Sequence, residues 1–229
     1  MPFFFDPKYF LFVGPGLLLG IWASWKVKST FNKYSRVGVR SGMTGAEAAA
    51  AVAQAGGAQV TIERTQGFLS DHYDPRSRTL RLSPDVYDGR SVSAVAVAAH
   101  EAGHAIQHVK QYGPLGLRSA LVPAVQFGSS AWLWVFMGGL LLKMTGVAWL
   151  GIALFGTTVL FQLVTLPTEF DASNRAKAVL AQAGIVSNED EARGVSKVLG
   201  AAAMTYVAGA ITSILTLLYY VTVLTNRRD

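Results

Sequence analysis

The chain has no cysteine and little charge: of its 229 residues only 15% are Asp, Glu, Lys or Arg. Without cysteine there is no disulfide framework, and any metal must rest on histidine and carboxylate. Soluble domains carry nearer a quarter of charged residues. A chain this poor in charge, 51% hydrophobic with a mean hydropathy of +0.34, must turn much of its surface to lipid. The net charge of +6 could suggest nucleic acid, but the basic residues are not interleaved with aromatics in an exposed patch. No nucleic-acid partner is expected; positive charge held on one side of a membrane explains the excess better.

Long apolar runs are what the chain has instead. Four are expected to span a bilayer: residues 9–25, 121–142, 147–166 and 199–224. A secretory signal peptide is the weaker rival reading of the first, because its basic cluster (Lys26, Lys28, Lys33, Arg36, Arg40) follows the apolar run instead of preceding it. Only residues 143–146 separate the second and third runs, which therefore form a tight helical hairpin. Sixteen Lys and Arg fall in segments 26–120 and 167–198, against Lys8, Lys143, Arg227 and Arg228 on the opposite side. That asymmetry places both segments in the cytoplasm and both termini outside.

Segment 26–120 reads as a small α+β unit. Thr44-Gly45-Ala46-Glu47 has the form of a capping box, opening a short Ala-rich helix that Gly56-Gly57 ends. Residues 59–65 alternate as a half-buried strand does. Residues 68–83 suggest a hairpin turning at Asp74-Pro75-Arg76-Ser77, with Thr79-Leu80-Arg81-Leu82 as its return strand. Ser91 begins a long helix that stops at Gly113-Pro114. In segment 167–198, Pro167 opens a helix over residues 168–182, Gly184 closes it, and Ser187 caps a further helix leading into the fourth span.

Inside the long helix the chain reads His100-Glu101-Ala102-Gly103-His104. Four helical residues turn through about 400°, so both imidazoles share one face, one turn apart. Such a pair can grip one zinc ion, with Glu101 beside it to take a proton from water. By composition, about 0.002 matches to this pattern are expected by chance. A catalytic zinc needs a third protein ligand. His108 shares the helix face, but eight residues of rise, about 12 Å, put it out of reach of an ion held by His100. His72 is possible, although a strand histidine beside Asp71 and Tyr73 is more often a surface or substrate-side residue. Glu169 is the better candidate, because a carboxylate this close to the bilayer needs a reason and a metal supplies one. Its rival role is that of an acidic residue favouring a helix N-terminus.

A HExxH helix, a pair of spans, and then Glu-Phe-x-Ala (Glu169, Phe170, Ala172) opening the next helix resembles the membrane gluzincins, the HtpX-like and CAAX prenyl protease-like peptidases. Closer still, the stretches 70–75, 78–83 and 98–108 resemble the YugP-type neutral zinc metallopeptidases of bacteria, over the whole chain. The resemblance implies an α-helical membrane protein with about four transmembrane helices and a small cytoplasmic α+β zincin-like unit. It implies one Zn2+ per chain held by His100, His104 and Glu169, with Glu101 as the catalytic base. It also implies polypeptide substrates and a multi-pass place in the bacterial inner membrane. One departure is visible: the HtpX-like pattern has an acidic residue four positions after the glutamate ligand, where this chain has Ser173. Support for a zinc-binding histidine then falls to Ser173, Asp171 or another residue.

The expected function is zinc-dependent hydrolysis of peptide bonds in membrane or misfolded proteins, at a cytoplasmic, membrane-proximal site. His72, Tyr73, Arg175 and Tyr206 are candidates to contact substrate or the oxyanion, and strand 79–82 to pair with an extended substrate. Two rivals stand beside it. An intramembrane site-2-type metalloprotease also uses HExxH, but only about eight apolar residues precede His100, too few to span. A non-catalytic zinc-containing membrane scaffold would favour four protein ligands and need no glutamate beside the first histidine.

Overall fold

The computed structural model describes residues 7–67 and 70–226. Phe68 and Leu69, at the start of the expected hairpin, and Arg227 and Arg228, used in the charge count, lie outside the described residues. In chain order the elements are α1 (Pro7–Tyr34), α2 (Gly45–Ala55), β1 (Thr61–Arg64), β2 (His72–Asp74), β3 (Thr79–Leu82), α3 (Pro84–Tyr87), α4 (Val92–Val109), α5 (Gly113–Leu141), α6 (Thr145–Gln182) and α7 (Glu189–Thr225). Helices α1, α5, α6 and α7 are long and apolar enough to cross a bilayer. The chain divides into two compact units: Met1–Ser24, Gly116–Leu166 and Thr205–Asp229 form one, Trp25–Leu115 and Pro167–Met204 the other.

The first unit is helical and inverted relative to a water-soluble domain. One small buried cluster in it joins Phe136, Ala148, Ile152 and Leu224, while Trp134, Leu141 and Leu11 are 75–79% exposed. A surface of this kind suits lipid. Helices α5 and α6 touch backbone to backbone, since a Cβ on Gly139 would lie 2.3 Å from the Ala148 nitrogen; small residues allow such close approach where lipid offers no hydrophobic drive. Hydroxyls of Thr157, Thr165, Thr212 and Thr216 donate to carbonyls three or four residues back, which satisfies them within their own helices.

The second unit is built around α4. Fourteen of its eighteen residues are buried, so it is a core helix wrapped on nearly every side and not an amphipathic surface helix. Ala48, Ala49, Val52 and Ala53 of α2 pack into the core with it, together with Leu80 and Leu82 of β3. The sheet order is β1-β3-β2, with β1 parallel and β2 antiparallel to β3. The hairpin turn is fixed by Asp74, whose carboxylate accepts from Arg76 N–H (3.0 Å), Ser77 Oγ (2.8 Å) and Arg81 Nη1 (3.1 Å). These bonds, led by that from Ser77, hold its carboxyl down at about 2.

Several boundaries differ from the sequence reading. Strand 79–82 is the central strand with both edges paired, so it cannot take a substrate; among the described residues the open edges belong to β1 and β2. Helix α6 runs straight through Pro167 instead of restarting there. One lost bond to the Leu163 carbonyl, worth about 3 kcal/mol, does not break a helix supported by long helix-forming runs on both sides. Gly113-Pro114 opens α5 and does not end α4, which stops at Val109, with Gln111 left-handed at φ 52°. Helix α7 is capped by Asn188, whose Oδ1 accepts from Glu191 N–H, and not by Ser187.

Candidate metal centre

His100 and His104 lie one turn apart on α4, with ring centroids 4.8 Å apart and planes at 81°. From α6, Glu169 reaches between them. Its Oε2 is 3.2 Å from His100 Nε2 and 3.6 Å from His104 Nε2, and donor atoms of all three residues lie within 4.8 Å of one another. Two neighbours make this possible. Between the histidines, Gly103 has no side chain where a Cβ would stand 2.5 Å from the Ala172 carbonyl oxygen. Ala172, three residues past Glu169, is itself wholly buried. A larger residue at either position would push α6 off α4 and carry the carboxylate away from the imidazoles.

The donor set fits a zinc ion. Ligands about 2 Å from a tetrahedral centre stand roughly 3.3 Å from one another, close to the two distances seen here. Two imidazoles and a carboxylate are also the ligand types of a catalytic zinc, and three protein donors leave one position open. Glu169 is only 2% exposed. Burial pushes its carboxyl up, but hydrogen bonds from His100 and His104 outweigh that and hold it well below the usual carboxylate range. For His104, burial acts downward, yet Glu169 and the nearby Glu101 charge drive the imidazole above its ordinary value.

The outer nitrogens of both histidines are also engaged. His100 Nδ1 lies 3.0 Å from Ser173 Oγ, and His104 Nδ1 lies 2.9 Å from Gln107 Oε1. Asp171 touches neither histidine; it accepts from Gln107 Nε2 at 2.8 Å. Gln107 is therefore the residue that the sequence reading missed. Its signal was its place three residues after His104, on the same helix face, as the one amide among alanines and isoleucine.

Glu101 is buried beside His100, and among the described residues nothing hydrogen-bonds its carboxylate. Asp71 faces it electrostatically. Burial pushes the Asp71 carboxyl up, bonds from Ser83 pull it back, and the Glu101 charge adds to the rise. Tyr73 on β2 shares a 2.8 Å hydrogen bond with His108 Nδ1, so His108 is engaged by a phenol one turn beyond the cluster. His72 is exposed and its Nδ1 donates to the Ser70 carbonyl at 2.9 Å. Arg175 is paired with Asp171 (2.5 Å) and lies over the Tyr112 ring. Neither His72 nor Arg175 joins the cluster, and Tyr206 lies on α7 in the first unit.

A family model described as "Putative neutral zinc metallopeptidase" matches residues 9–225. A protein of Bacillus subtilis (strain 168), named "Putative membrane protease YugP", is 50% identical over 212 residues, which cover 92% of this chain and 94% of the relative. No solved structure matches.

The Gly103 contact yields a prediction. Gly103→Ala should gain about 1 kcal/mol of helix propensity but lose roughly 1–3 kcal/mol to overpacking against Ala172. Thermal unfolding should show a net loss, and zinc titration a weaker site; a variant more stable than wild type with full zinc affinity would rule out the close contact.

Proposed function

The chain belongs to the neutral zinc metallopeptidase family, with Zn2+ as its cofactor, and on that premise we propose that it hydrolyses peptide bonds as a gluzincin. In this reading His100, His104 and Glu169 hold the zinc and Glu101 is the catalytic base. The observation that carries it is the convergence of three donors from α4 and α6, with an uncommitted carboxylate next to the first histidine. When bound, the ion supplies Lewis acidity, which polarises the scissile carbonyl and makes water a competent nucleophile near neutral pH. Glu101 accepts the proton of the attacking water and delivers it to the leaving amine. Among the described residues nothing hydrogen-bonds its carboxylate, which leaves it available for both transfers.

Two features suit the substrate. The open edge of β2 can pair with an extended polypeptide, main chain to main chain. Tyr73 on that strand carries a hydroxyl anchored on His108, which makes it the best placed of the candidate oxyanion donors. Membrane or misfolded proteins are the substrate class, since Glu169 follows the end of an apolar run, Leu166, by three residues. The lysine and arginine asymmetry supports a site on the cytoplasmic side of the bacterial inner membrane. An intramembrane site-2-type mechanism has less support, because α4 is not among the helices apolar and long enough to span.

Three outcomes test this reading. Glu101→Gln should keep about one zinc per chain and lose hydrolysis of an unfolded protein by 10² or more, the usual size of a general-base contribution; undiminished proteolysis would remove Glu101 from the chemistry. Glu169→Ala should lower zinc content and melting temperature together, since a metal tying two helices stabilises the fold, while His108→Ala should leave zinc content near wild type. If His72→Ala loses zinc and Glu169→Ala does not, the third ligand is misassigned. For orientation, single cysteines at Ser77 and Asn226 can be probed in intact cells with an impermeant thiol reagent, against no native thiol background. Asn226→Cys should label and Ser77→Cys should not; the reverse pattern would put the site outside.

A further inference from the structure

Gln107 is fully buried, and its amide makes three hydrogen bonds that leave no freedom in its orientation. Nε2 donates to the Thr168 carbonyl (2.7 Å) and to Asp171 Oδ2 (2.8 Å), while Oε1 lies 2.9 Å from His104 Nδ1. A backbone carbonyl accepts only, and so does the Asp171 carboxylate, which is ion-paired with Arg175. Both N–H groups of Gln107 must therefore face them, and the amide cannot flip. Its oxygen is left facing His104, and an amide oxygen only accepts. The hydrogen must then sit on His104 Nδ1, which in the neutral ring puts the lone pair on Nε2, the atom turned toward Glu169.

We infer that Gln107 is a positioning residue for the zinc site. It fixes the tautomer of His104, and through Thr168 it ties that ligand to its neighbour in the chain, Glu169. One amide thus holds two of the three donors, from two helices, in register. Asp171 and Arg175 serve the metal indirectly by locking the amide. His100 is held differently, because the Ser173 hydroxyl can both donate and accept and so dictates no tautomer. This inference rests on the ligand set proposed above.

The test uses the full chain in detergent, with zinc affinity measured by chelator competition and the absorption bands of the Co2+-substituted protein as a second readout. Gln107→Met keeps the volume and removes all three bonds; zinc should bind about 10- to 100-fold more weakly, and the Co2+ bands should shift. Asp171→Ala, at a half-exposed position, should weaken zinc by a smaller factor, and Ser173→Ala should do less than Gln107→Met. Unfolding in excess chelator checks that each variant folds, and if Gln107→Met does not, Asp171→Ala decides. Wild-type affinity and unchanged Co2+ bands in the folded variants would overturn the inference. His104→Ala separates the two levels: if it keeps zinc, the ligand set itself falls, whereas its loss beside an unaffected Gln107→Met removes only the role of Gln107.

Discussion

A carboxylate buried to the extent of Glu169 cannot stay ionised alone, because desolvating it costs several kcal/mol unless opposite charge or donors stand beside it. His100 and His104 meet that demand, and the arrangement of the second unit follows from it. Helix α4 must present two imidazoles on one face while burying nearly all its other sides, so α2, the three-stranded sheet and α6 surround it. Helix α6 must come close enough for a short side chain to reach, which the missing side chain of Gly103 permits. The polar groups drawn in by this packing are then satisfied in turn by Ser173, Gln107 and Asp171.

The part of the site that sequence revealed is the part set by local geometry. A four-residue spacing on one helix is decided by helical pitch, so the pairing of His100 with His104 and the exclusion of His108 could be reasoned from the chain alone. Glu169 was legible from its place after an apolar run and from the family resemblance. For Gln107 only the spacing from His104 was visible, because its partners Thr168 and Asp171 stand 61 and 64 residues further along, on another helix. The hydrogen bond joining Tyr73 to His108 escaped for the same reason.

In the fold, the errors concern punctuation and pairing. Pro167 and Pro114 were each taken as breaks, yet one lies within α6 and the other in the first turn of α5. A proline removes one backbone donor, and long runs of helix-forming residues on either side decide whether that loss matters. The central place of β3 depends on a parallel pairing with β1, a non-local choice that alternation along a single strand does not encode.

Both histidines are supported by neutral groups, a hydroxyl and an amide, where a carboxylate would raise ligand basicity further. Around a bound zinc such a shell would leave more of the charge of the ion available to polarise a carbonyl, as the proposed hydrolytic role requires. All of this depends on where the metal sits. The most direct measurement is anomalous diffraction at the zinc edge from crystals of the full chain purified with zinc. A single peak among His100, His104 and Glu169 is the expected result; a peak at His72 or His108 instead, or none at the cluster, would contradict it.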